Sequence, residues 1–446
     1  MNIRTIRLVA IFISVITISP IAVAFVSDAG TQTTTAKRVE EVSGPNRDGY
    51  TAITTQEFKE TYPQAELIIL SPNGSTVHVN SEYTTYFDVD PVPGNPNVVE
   101  YVAANHLSGE ECDSVDKCTQ EVLVRENFAT GESEILWSRI SPGQHSTRIH
   151  DIDRINESHV LVADIYTDTV FMYDLDREIR TWTWSAQRDY PISGGGPFPS
   201  DWTHMNDVEL VDENVIMVSL RNQDSVVFLS LNGTLLQRRT LGHDGQHSNL
   251  YEQHNPDFID GSDPAVIVAD SENNRVIEYE MQNSLWRPTW GWKDNRLQWP
   301  RDADRLPNGH TLITDTNGNR VFEINRSGDI VWSVDIGLPY EAERLSTGDE
   351  SQNAPTATEE ELKSRIDLSR PSGETERSDS TGVRVVIKRL LPNQILQAIA
   401  FVNPSWMRLW HVGLLFICIF NLIIWGTLEF RHSAWQLRLP LHKSGK

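Results

Sequence analysis

Residues 300–332, PRDADRLPNGHTLITDTNGNRVFEINRSGDIVW, contain the pattern that decides the fold. The stretch opens with a short motif at Pro300–Asp304, and the β-branched run Thr311–Asp315 follows. Beyond a tight polar turn come a third run at Asn319–Glu323 and a Trp-bearing fourth run at Ser327–Trp332. Short runs bounded by Gly, Asn and Asp are typical of antiparallel strands. The runs lack a 3.6-residue period, which excludes a helical interpretation.

The same pattern recurs upstream at intervals of roughly fifty residues. Its openings are centred on His150, His204, His254 and Arg301, and each is followed by a β-branched run that ends in a polar residue. Four short strands per unit at this period indicate the blades of a β-propeller. The sequence therefore predicts an all-β propeller domain over residues 60–390.

Two weaker units set the blade count. One starts at Tyr86–Asp90 and the other at Pro339–Leu345. We expect the early runs Glu66–Leu70 and Ser75–Val79 to complete the last blade, because closure by strands from opposite ends of the chain leaves no exposed sheet edge. The prediction is a six-bladed β-propeller, with five or seven blades as the alternatives.

An apolar segment without charged residues lies near each end of the chain, at Leu8–Val26 and Val412–Leu428. Each is long enough to cross a hydrocarbon core of ~30 Å. Basic residues outside both segments place both termini in the cytoplasm, so the propeller is expected on the extracellular side of the cell membrane. Ala22–Ala24 resembles a signal-peptide cleavage site, but the length of the first segment favours an uncleaved anchor.

These features divide the ends of the chain into four predicted parts. They are an N-terminal transmembrane anchor or signal segment at 1–27, a juxtamembrane amphipathic helix at 391–407, a C-terminal transmembrane helix at 408–429 and a basic cytoplasmic tail at 430–446.

The chain is strongly acidic, with 62 acidic and 38 basic residues and a formal net charge of -24. Such a surface argues against nucleic acid as a partner, because phosphate binding needs clustered cations. It fits a protein kept soluble in concentrated salt, and we expect a halophilic source. Residues 346–381 are rich in acidic and hydroxyl side chains, which predicts a disordered insertion in the final blade.

Two of the three cysteines, Cys112 and Cys118, lie close together in a polar loop. In an exported chain we expect a disulfide between them. Cys418 lies inside the second apolar segment and is expected either to face lipid or to fill packing space.

One position in each blade opening is expected to line the central channel, because the first strand of a propeller blade faces the axis. This position reads Phe87, His150, His204, His254, Arg301 and Tyr340. Three His could bind zinc, or could serve as nucleophile and acid–base groups. Arg301, and Arg221 on the strand after His204, repel a metal and suit an oxyanion. The pattern favours a substrate with a sulfuryl or phosphoryl group, and it predicts no metal or cofactor. The lack of a GxxxxGK[S/T] loop argues against a nucleotide donor.

Segments around these positions resemble bacterial arylsulfotransferases. Asp201–Asn206, followed by Ser219–Gln223, is similar to the family's motif around an active-site His, Asn and Arg. Gln253–His254, followed by Asp270–Arg275, resembles the segment with its nucleophilic His, and Ile149–Asp151 resembles the segment with a further channel His. The resemblance implies sulfuryl transfer from an aryl sulfate donor to a phenolic acceptor, without a nucleotide sulfate donor, in a membrane-anchored protein of haloarchaeal type.

The resemblance also implies a role for each residue. His254 attacks sulfur and forms a sulfohistidine, which divides the transfer into two displacements. Arg221, His204 and Asn206 hold the sulfuryl oxygens. His150 is the acid toward the departing phenolate and the base toward the incoming phenol.

Two further residues enter from the repeat alignment. Arg301 is expected to bind substrate because it shares the channel position of the three His. His247 is a rival nucleophile, since Pro256 departs from the bacterial pattern, but the strand after His254 fits the blade register better. His243 and His247 are therefore expected in a loop.

Two other classes of protein share the repeat. A non-catalytic extracellular scaffold or glycan-binding propeller has no need for His in three successive blades beside Arg221. A quinone-dependent dehydrogenase propeller requires a Trp-docking repeat and calcium-binding carboxylates around the axis, whereas imidazoles are predicted at this axis.

Overall fold

The computed structural model describes residues 3–31, 39–57, 65–112, 115–144, 148–368 and 409–432. Two compact units are present. One contains residues 38–377, and the other contains residues 1–37 with 378–446.

The strands in the described residues belong to the larger unit and form six antiparallel sheets. In chain order the strands are β1 (Val39–Ser43), β2 (Thr51–Thr55), β3 (Leu67–Leu70), β4 (Thr76–Asn80), β5 (Thr85–Pro91), β6 (Val98–Ser108), β7 (Lys117–Asn127), β8 (Glu132–Pro142), β9 (His159–Asp164), β10 (Thr169–Asp174), β11 (Ile179–Ser185), β12 (Met205–Asp212), β13 (Val215–Leu220), β14 (Ser225–Ser230), β15 (Leu241–Gly242), β16 (His254–Ile259), β17 (Ala265–Asp270), β18 (Arg275–Gln282), β19 (Leu285–Trp292), β20 (Pro300–Arg305), β21 (Thr311–Asp315), β22 (Arg320–Ile324), β23 (Ile330–Ile336) and β24 (Pro339–Arg344).

Each sheet is one blade, and the six blades confirm the predicted propeller. Blades 1 to 5 begin with β5, β9, β12, β16 and β20, and blade 6 combines β24 with β2, β3 and β4. The predicted closure by early strands is therefore present. β1 and β2 extend the propeller upstream of the expected boundary at residue 60, and β1 adds a fifth strand to blade 5. Pairing of strands from both chain ends covers edges that would otherwise be free.

Blade 2 departs from the repeat because its first segment, Ile149–Asp153, is not a regular strand. The segment lies beside β9. Two backbone hydrogen bonds connect them, from Leu161 N to Asp153 O at 2.8 Å and from Ala163 N to Asp151 O at 3.3 Å. The segment still brings His150 to the axis.

Apolar side chains fill the space between neighbouring blades. Trp184 and Trp202 are buried with Val218 between blades 2 and 3, and the rings of Trp292 and Phe322 lie 5.1 Å apart between blades 4 and 5. Full burial of an apolar side chain contributes ~1.5–3 kcal/mol. The hydrophobic core therefore lies between the blades and leaves the axis to polar groups.

A repeated turn residue connects one blade to the start of the next. Asp168, Asp224, Asn274 and Asn319 all have left-handed backbone conformations, with φ between 49° and 53°. Their side-chain oxygens accept backbone N–H groups from Thr203, Glu252, Trp299 and Leu338, at 2.9 to 3.1 Å. Asp and Asn suit this position because their short polar side chains tolerate the left-handed region. The bond fixes the chain just before His204, His254, Arg301 and Tyr340.

Residues 346–368, which we call the strap, correct the prediction of disorder over 346–381. Ser351, Thr356 and Ala357 are buried, and the Ala357 N–H donates to Glu278 Oε1 at 2.7 Å. Disorder was inferred from polar composition, but these polar groups find partners on blades 4 and 5. Residues 369–381, and the amphipathic helix expected at 391–407, lie outside the described residues.

The smaller unit contains two helices, α1 (Ile3–Thr31) and α2 (Leu409–His432). Their apolar stretches, Thr5–Phe25 and His411–Arg431, have mean hydropathies of 2.6 and 2.0 and are long enough to cross a membrane. The helices contact each other: Arg7 pairs with Glu429 at 2.5 Å, and Asn421 Nδ2 donates to the Ala10 carbonyl at 2.8 Å. These contacts make the pair antiparallel.

The expected disulfide between Cys112 and Cys118 is present. It connects the turn after β6 to the start of β7, at one end of blade 1. Cys418 is a free cysteine and is buried, which favours packing over a lipid-facing position.

Candidate active site

The six channel positions predicted from the repeat converge on the axis, and we call them the ring: Phe87, His150, His204, His254, Arg301 and Tyr340. His150 is at the centre of the contacts, because its imidazole stacks on Phe87 with centroids 4.4 Å apart and meets the His204 ring at 5.2 Å. Tyr340 lies 5.6 Å from His150, and the Arg301 guanidinium lies 4.9 Å from the Tyr340 centroid. His254 contacts Trp299 at 6.4 Å, and Arg301 covers the same indole.

His204 lies between an acid and a cation. Its Nδ1 is 2.6 Å from Asp201 Oδ1, and its Nε2 is 3.1 Å from Arg221 Nη1. A guanidinium can only donate, so Nε2 accepts and Nδ1 carries the proton. Burial and the Arg221 charge lower the pKa of His204 to about 4, although Asp201 opposes the shift. His204 is therefore neutral at neutral pH and holds Arg221.

His254 is bonded to the Ser271 hydroxyl, which already donates its proton to a backbone carbonyl. Its Nδ1 is 2.8 Å from Ser271 Oγ, and that hydroxyl donates to the Pro300 carbonyl at 2.7 Å. Ser271 must therefore accept from Nδ1–H, which leaves the lone pair of His254 on Nε2. Burial, followed by the charges of Arg301 and Arg221, lowers the pKa of His254 well below its usual value, and the Glu252 backbone opposes this. The result is a neutral imidazole, 1% exposed, with a defined tautomer.

His150 is buried without hydrogen-bond partners for either ring nitrogen. Its side chain is 6% exposed, and burial, with His204 next, lowers its pKa well below the usual value. A buried polar group without a partner costs ~1–3 kcal/mol. Such a cost is common where a ligand completes the bonding.

Further unpartnered polar atoms lie around the ring. The Tyr340 hydroxyl, Trp299 Nε1 and Arg301 Nε are all buried without a hydrogen-bond partner. Arg301 Nη1 donates to Gln56 Oε1. Burial lowers the pKa of Arg301 to about 10, so the guanidinium remains charged at neutral pH. These groups present N–H and O–H donors and positive charge, which suits an oxyanion with several oxygens.

Asn206 is adjacent to the ring, but its amide group is bonded to the backbone, whereas the family resemblance implies contact with the sulfuryl oxygens. Its Nδ2 donates to the Gln253 carbonyl at 3.0 Å, directly before His254, and its Oδ1 is buried without a partner. In this arrangement Asn206 stabilises the backbone that positions His254.

His247, the rival nucleophile, and His243 lie in the loop before β16 and are not among the ring residues. The His247 imidazole stacks on Tyr251 at 3.7 Å and lies 3.3 Å from Asp224, with its side chain 49% exposed. His243 is exposed and approaches the Asp244 carbonyl. Both are loop residues, as expected.

Sequence reasoning missed several residues of the site. Trp299 directly precedes the Pro300 opening, and its left-handed backbone (φ 53°) directs the chain toward the channel. Arg148 lies two residues before His150, covers the Phe87 ring at 5.1 Å and pairs with Glu57 at 3.2 Å. The proximity of Arg148 to His150 in sequence was a usable signal, whereas nothing in the sequence indicated Glu57.

The part of the propeller that contains most of these residues matches a known protein family. Residues 154–337 match the arylsulfotransferase family. The match includes His204, Arg221, His254 and Arg301, and it begins just after His150. A search of the curated proteins gives no match.

Solved structures with related folds are distant. A protein of unknown function from Bacteroides caccae is 11% identical, with a TM-score of 0.45, over 66% of this chain and 98% of that chain. The periplasmic gluconolactonase PpgL of Pseudomonas aeruginosa is 13% identical, with a TM-score of 0.42, over 66% and 99%. An inactive virginiamycin B lyase from Staphylococcus aureus, solved with quinupristin, is 8% identical, with a TM-score of 0.38, over 67% and 88%. These structures carry no argument about function.

Proposed function

Because its propeller contains an arylsulfotransferase-family segment at residues 154–337, we propose that this chain is an aryl-sulfate sulfotransferase. It moves a sulfuryl group from an aryl sulfate to a phenol through a sulfohistidine at His254, without a nucleotide sulfate donor. The observation that carries the proposal is His254 itself, a buried imidazole whose Nδ1 is held by Ser271 among cationic groups.

In the first displacement, the lone pair on His254 Nε2 attacks sulfur and the bond from sulfur to the phenolic oxygen breaks. The products are a sulfohistidine and a phenolate. Because its pKa is lowered, His254 needs no deprotonation at neutral pH. The Ser271 hydroxyl keeps Nδ1–H in place as positive charge develops on the imidazole.

Arg221 and Arg301 supply the positive charge that stabilises the sulfuryl oxygens. His204 acts through Arg221, because its Nε2 accepts from the guanidinium while Asp201 fixes the ring. We therefore assign His204 and Asn206 as positioning residues. This role differs from the direct contact with sulfuryl oxygens that the family resemblance implies.

In the second displacement, a phenol attacks the sulfohistidine and its proton must leave. His150 is the acid–base group in this proposal, because both of its nitrogens lack partners within the site. The anionic sulfate ester raises the proton affinity of a neighbouring imidazole. His150 can thus take the proton of the incoming phenol, and as an imidazolium it can give that proton to the phenolate that leaves in the next turnover, so protons balance over the cycle.

The two helices anchor the propeller in this proposal, with both chain ends in the cytoplasm and the propeller outside. An antiparallel pair places the N-terminus of α1 beside the C-terminus of α2, as the Arg7–Glu429 contact requires. The Asn421 contact with Ala10 is typical of polar bonds between membrane helices. It gives α1 a partner that a cleaved signal peptide would not keep.

The full-length chain in detergent provides the test, with a chromogenic aryl sulfate supplied with and without a phenol. We expect acceptor-dependent release of the donor phenol, lowered by at least about 10³-fold in His254→Ala. His243→Ala is the matched control, because His243 lies in the exposed loop outside the ring. Folded protein without turnover on any phenol, or equal rates in the two variants, would contradict the proposal.

A further inference from the structure

Below the ring, the channel is lined by carboxylates from every blade. We call them the axial acid cluster: Asp88, Asp90, Asp151, Asp153, Asp207, Glu209, Asp257, Asp302, Asp304, Glu341 and Glu343. Eight of the eleven are buried, and within the described ranges none forms an ion pair with Arg or Lys. Like charges at this density in a buried channel require neutralisation by protons or by cations.

Part of the cluster has a structural role. Glu341 Oε1 accepts the Val89 N–H at 2.8 Å, and Asp302 Oδ2 accepts the Ala342 N–H at 3.1 Å. Each bond connects the innermost strands of neighbouring blades. A backbone N–H satisfies one lone pair but leaves the charge of the carboxylate in place.

Two groups of three carboxylates have the spacing of metal ligands. Asp257, Asp302 and Asp304 form one group, and in each group one oxygen per residue lies within 4.8 Å of the others. The second group contains Asp88, Asp90 and Glu341. Both offer only oxygen donors, which suit hard cations.

An independent observation comes from Asn255, whose side chain enters the cluster from blade 4. Its Nδ2 donates to Glu341 Oε2 at 2.8 Å, and its Oδ1 is buried without a partner. Asn255 is 8% exposed, so water does not satisfy that oxygen from bulk. Amide carbonyl oxygens of Asn are common ligands of calcium, and this one lacks a donor in a residue that is bonded to Glu341 of the cluster.

The strap adds to the negative charge at the end of the channel. Ser351 Oγ donates to Asp257 Oδ2 at 2.5 Å, and the Glu350 N–H donates to Glu343 Oε1 at 3.2 Å. This docking brings Asp349 and Glu350 against the cluster. A cation in the channel offsets the repulsion that this docking would otherwise cause.

We propose that the axial acid cluster binds divalent cations of the calcium class, one at each group of three carboxylates. Calcium takes six to eight oxygen ligands at flexible geometry, whereas magnesium demands near-ideal octahedral geometry. A cavity of 430 Å³ lined by Asp90, Glu100 and Asp349 gives an entry path from solvent. The cations tie the strap to the blades and close the channel on the side away from the ring.

The test uses the full chain in detergent, treated with EGTA and then supplied with calcium. After gel filtration, elemental analysis is expected to find calcium retained on the protein. The midpoint of thermal unfolding, followed by Trp fluorescence, is expected to rise by about 5–10 °C over the EGTA sample. Magnesium at the same concentration is expected to give a smaller rise.

Asp304→Asn removes one carboxylate at nearly constant volume. In calcium, this variant is expected to lose at least half of the bound metal and most of the thermal shift. In EGTA it is expected to unfold at a higher temperature than the wild type, because a repulsive charge is gone. Asp176→Asn, at an exposed position, is the control and is expected to match the wild type.

Protein without bound calcium, with the same unfolding temperature in EGTA and calcium, would show that protons neutralise the cluster and would overturn the proposal. No step of this test uses an aryl sulfate. Its failure is therefore distinguishable from failure of the proposed sulfotransferase.

Discussion

Ser271→Ala isolates the hydrogen bond that sets the tautomer of His254. The substitution removes the acceptor at 2.8 Å from Nδ1 and the donor to the Pro300 carbonyl. One hydrogen bond contributes ~1 kcal/mol, and a buried carbonyl left without a donor costs ~1–3 kcal/mol. We expect the bond to matter more in the transition state, since the imidazole becomes positively charged there.

A loss of ~1.5–3 kcal/mol of transition-state stabilisation lowers kcat by about 10- to 150-fold. KM is expected to stay within about threefold, because Ser271 touches the nucleophile and not the substrate. Steady-state kinetics with an aryl sulfate and a saturating phenol measures both quantities. Rapid mixing is expected to show slower release of the first phenol as well.

Ser225→Ala is the matched control, because Ser225 is a buried serine in blade 3 whose hydroxyl donates to the Gln223 carbonyl at 2.9 Å. It is expected to lower the unfolding temperature by an amount similar to Ser271→Ala and to leave kcat unchanged. Equal effects of the two substitutions on kcat would refute the reasoning, since only general destabilisation would then be at work.

Three further predictions follow from the same geometry. Arg221→Lys is expected to lower kcat/KM by about 10²-fold. Arg177 is 75% exposed, so Arg177→Lys is the control and is expected to leave kcat/KM unchanged when the kinetics of the two variants are compared. Because burial and Arg221 lower the pKa of His204 to about 4, kcat/KM is expected to fall on the acid side only below about pH 5, and a fall centred near 6.5 would contradict this. Reduction of the Cys112–Cys118 disulfide is expected to cost about 2 kcal/mol of stability without changing kcat, as thermal unfolding and turnover with and without reductant will show.

The sequence was sufficient for the architecture and for the ring. Equivalent positions in successive blades meet at the axis, so the alignment of the blade openings predicts that His150, His204 and His254 lie close together. The early strands Glu66–Leu70 and Ser75–Val79 were also predicted to complete the last blade, because closure by strands from opposite ends of the chain leaves no exposed sheet edge.

The parts that sequence reasoning missed depend on tertiary contacts. The strap looked disordered because its composition is polar, yet the Ser351 hydroxyl and the Ala357 N–H find buried partners on blade 4. Trp299 and Glu252 enter the site through left-handed backbone conformations, which side-chain patterns do not indicate. Ser271 was visible directly after the predicted strand Val266–Asp270, but its role follows only from its distance to His254.

The axial acid cluster was readable in the sequence and was not interpreted. Every opening motif places an acid one to three residues after the ring position, as in Arg301–Asp304 and Tyr340–Glu343. Alternation along a strand would send some of these side chains away from the axis, so their convergence became clear only from the structure.

The most direct test of the central claim is to trap the covalent intermediate. The full-length protein is mixed with an aryl sulfate in the absence of a phenol acceptor, quenched within the first turnover, digested at alkaline pH and examined by mass spectrometry. The account predicts a sulfuryl adduct on the peptide that contains His254, which disappears when a phenol is added before the quench. An adduct on another residue, or phenol-dependent turnover in one step without any adduct, would contradict it.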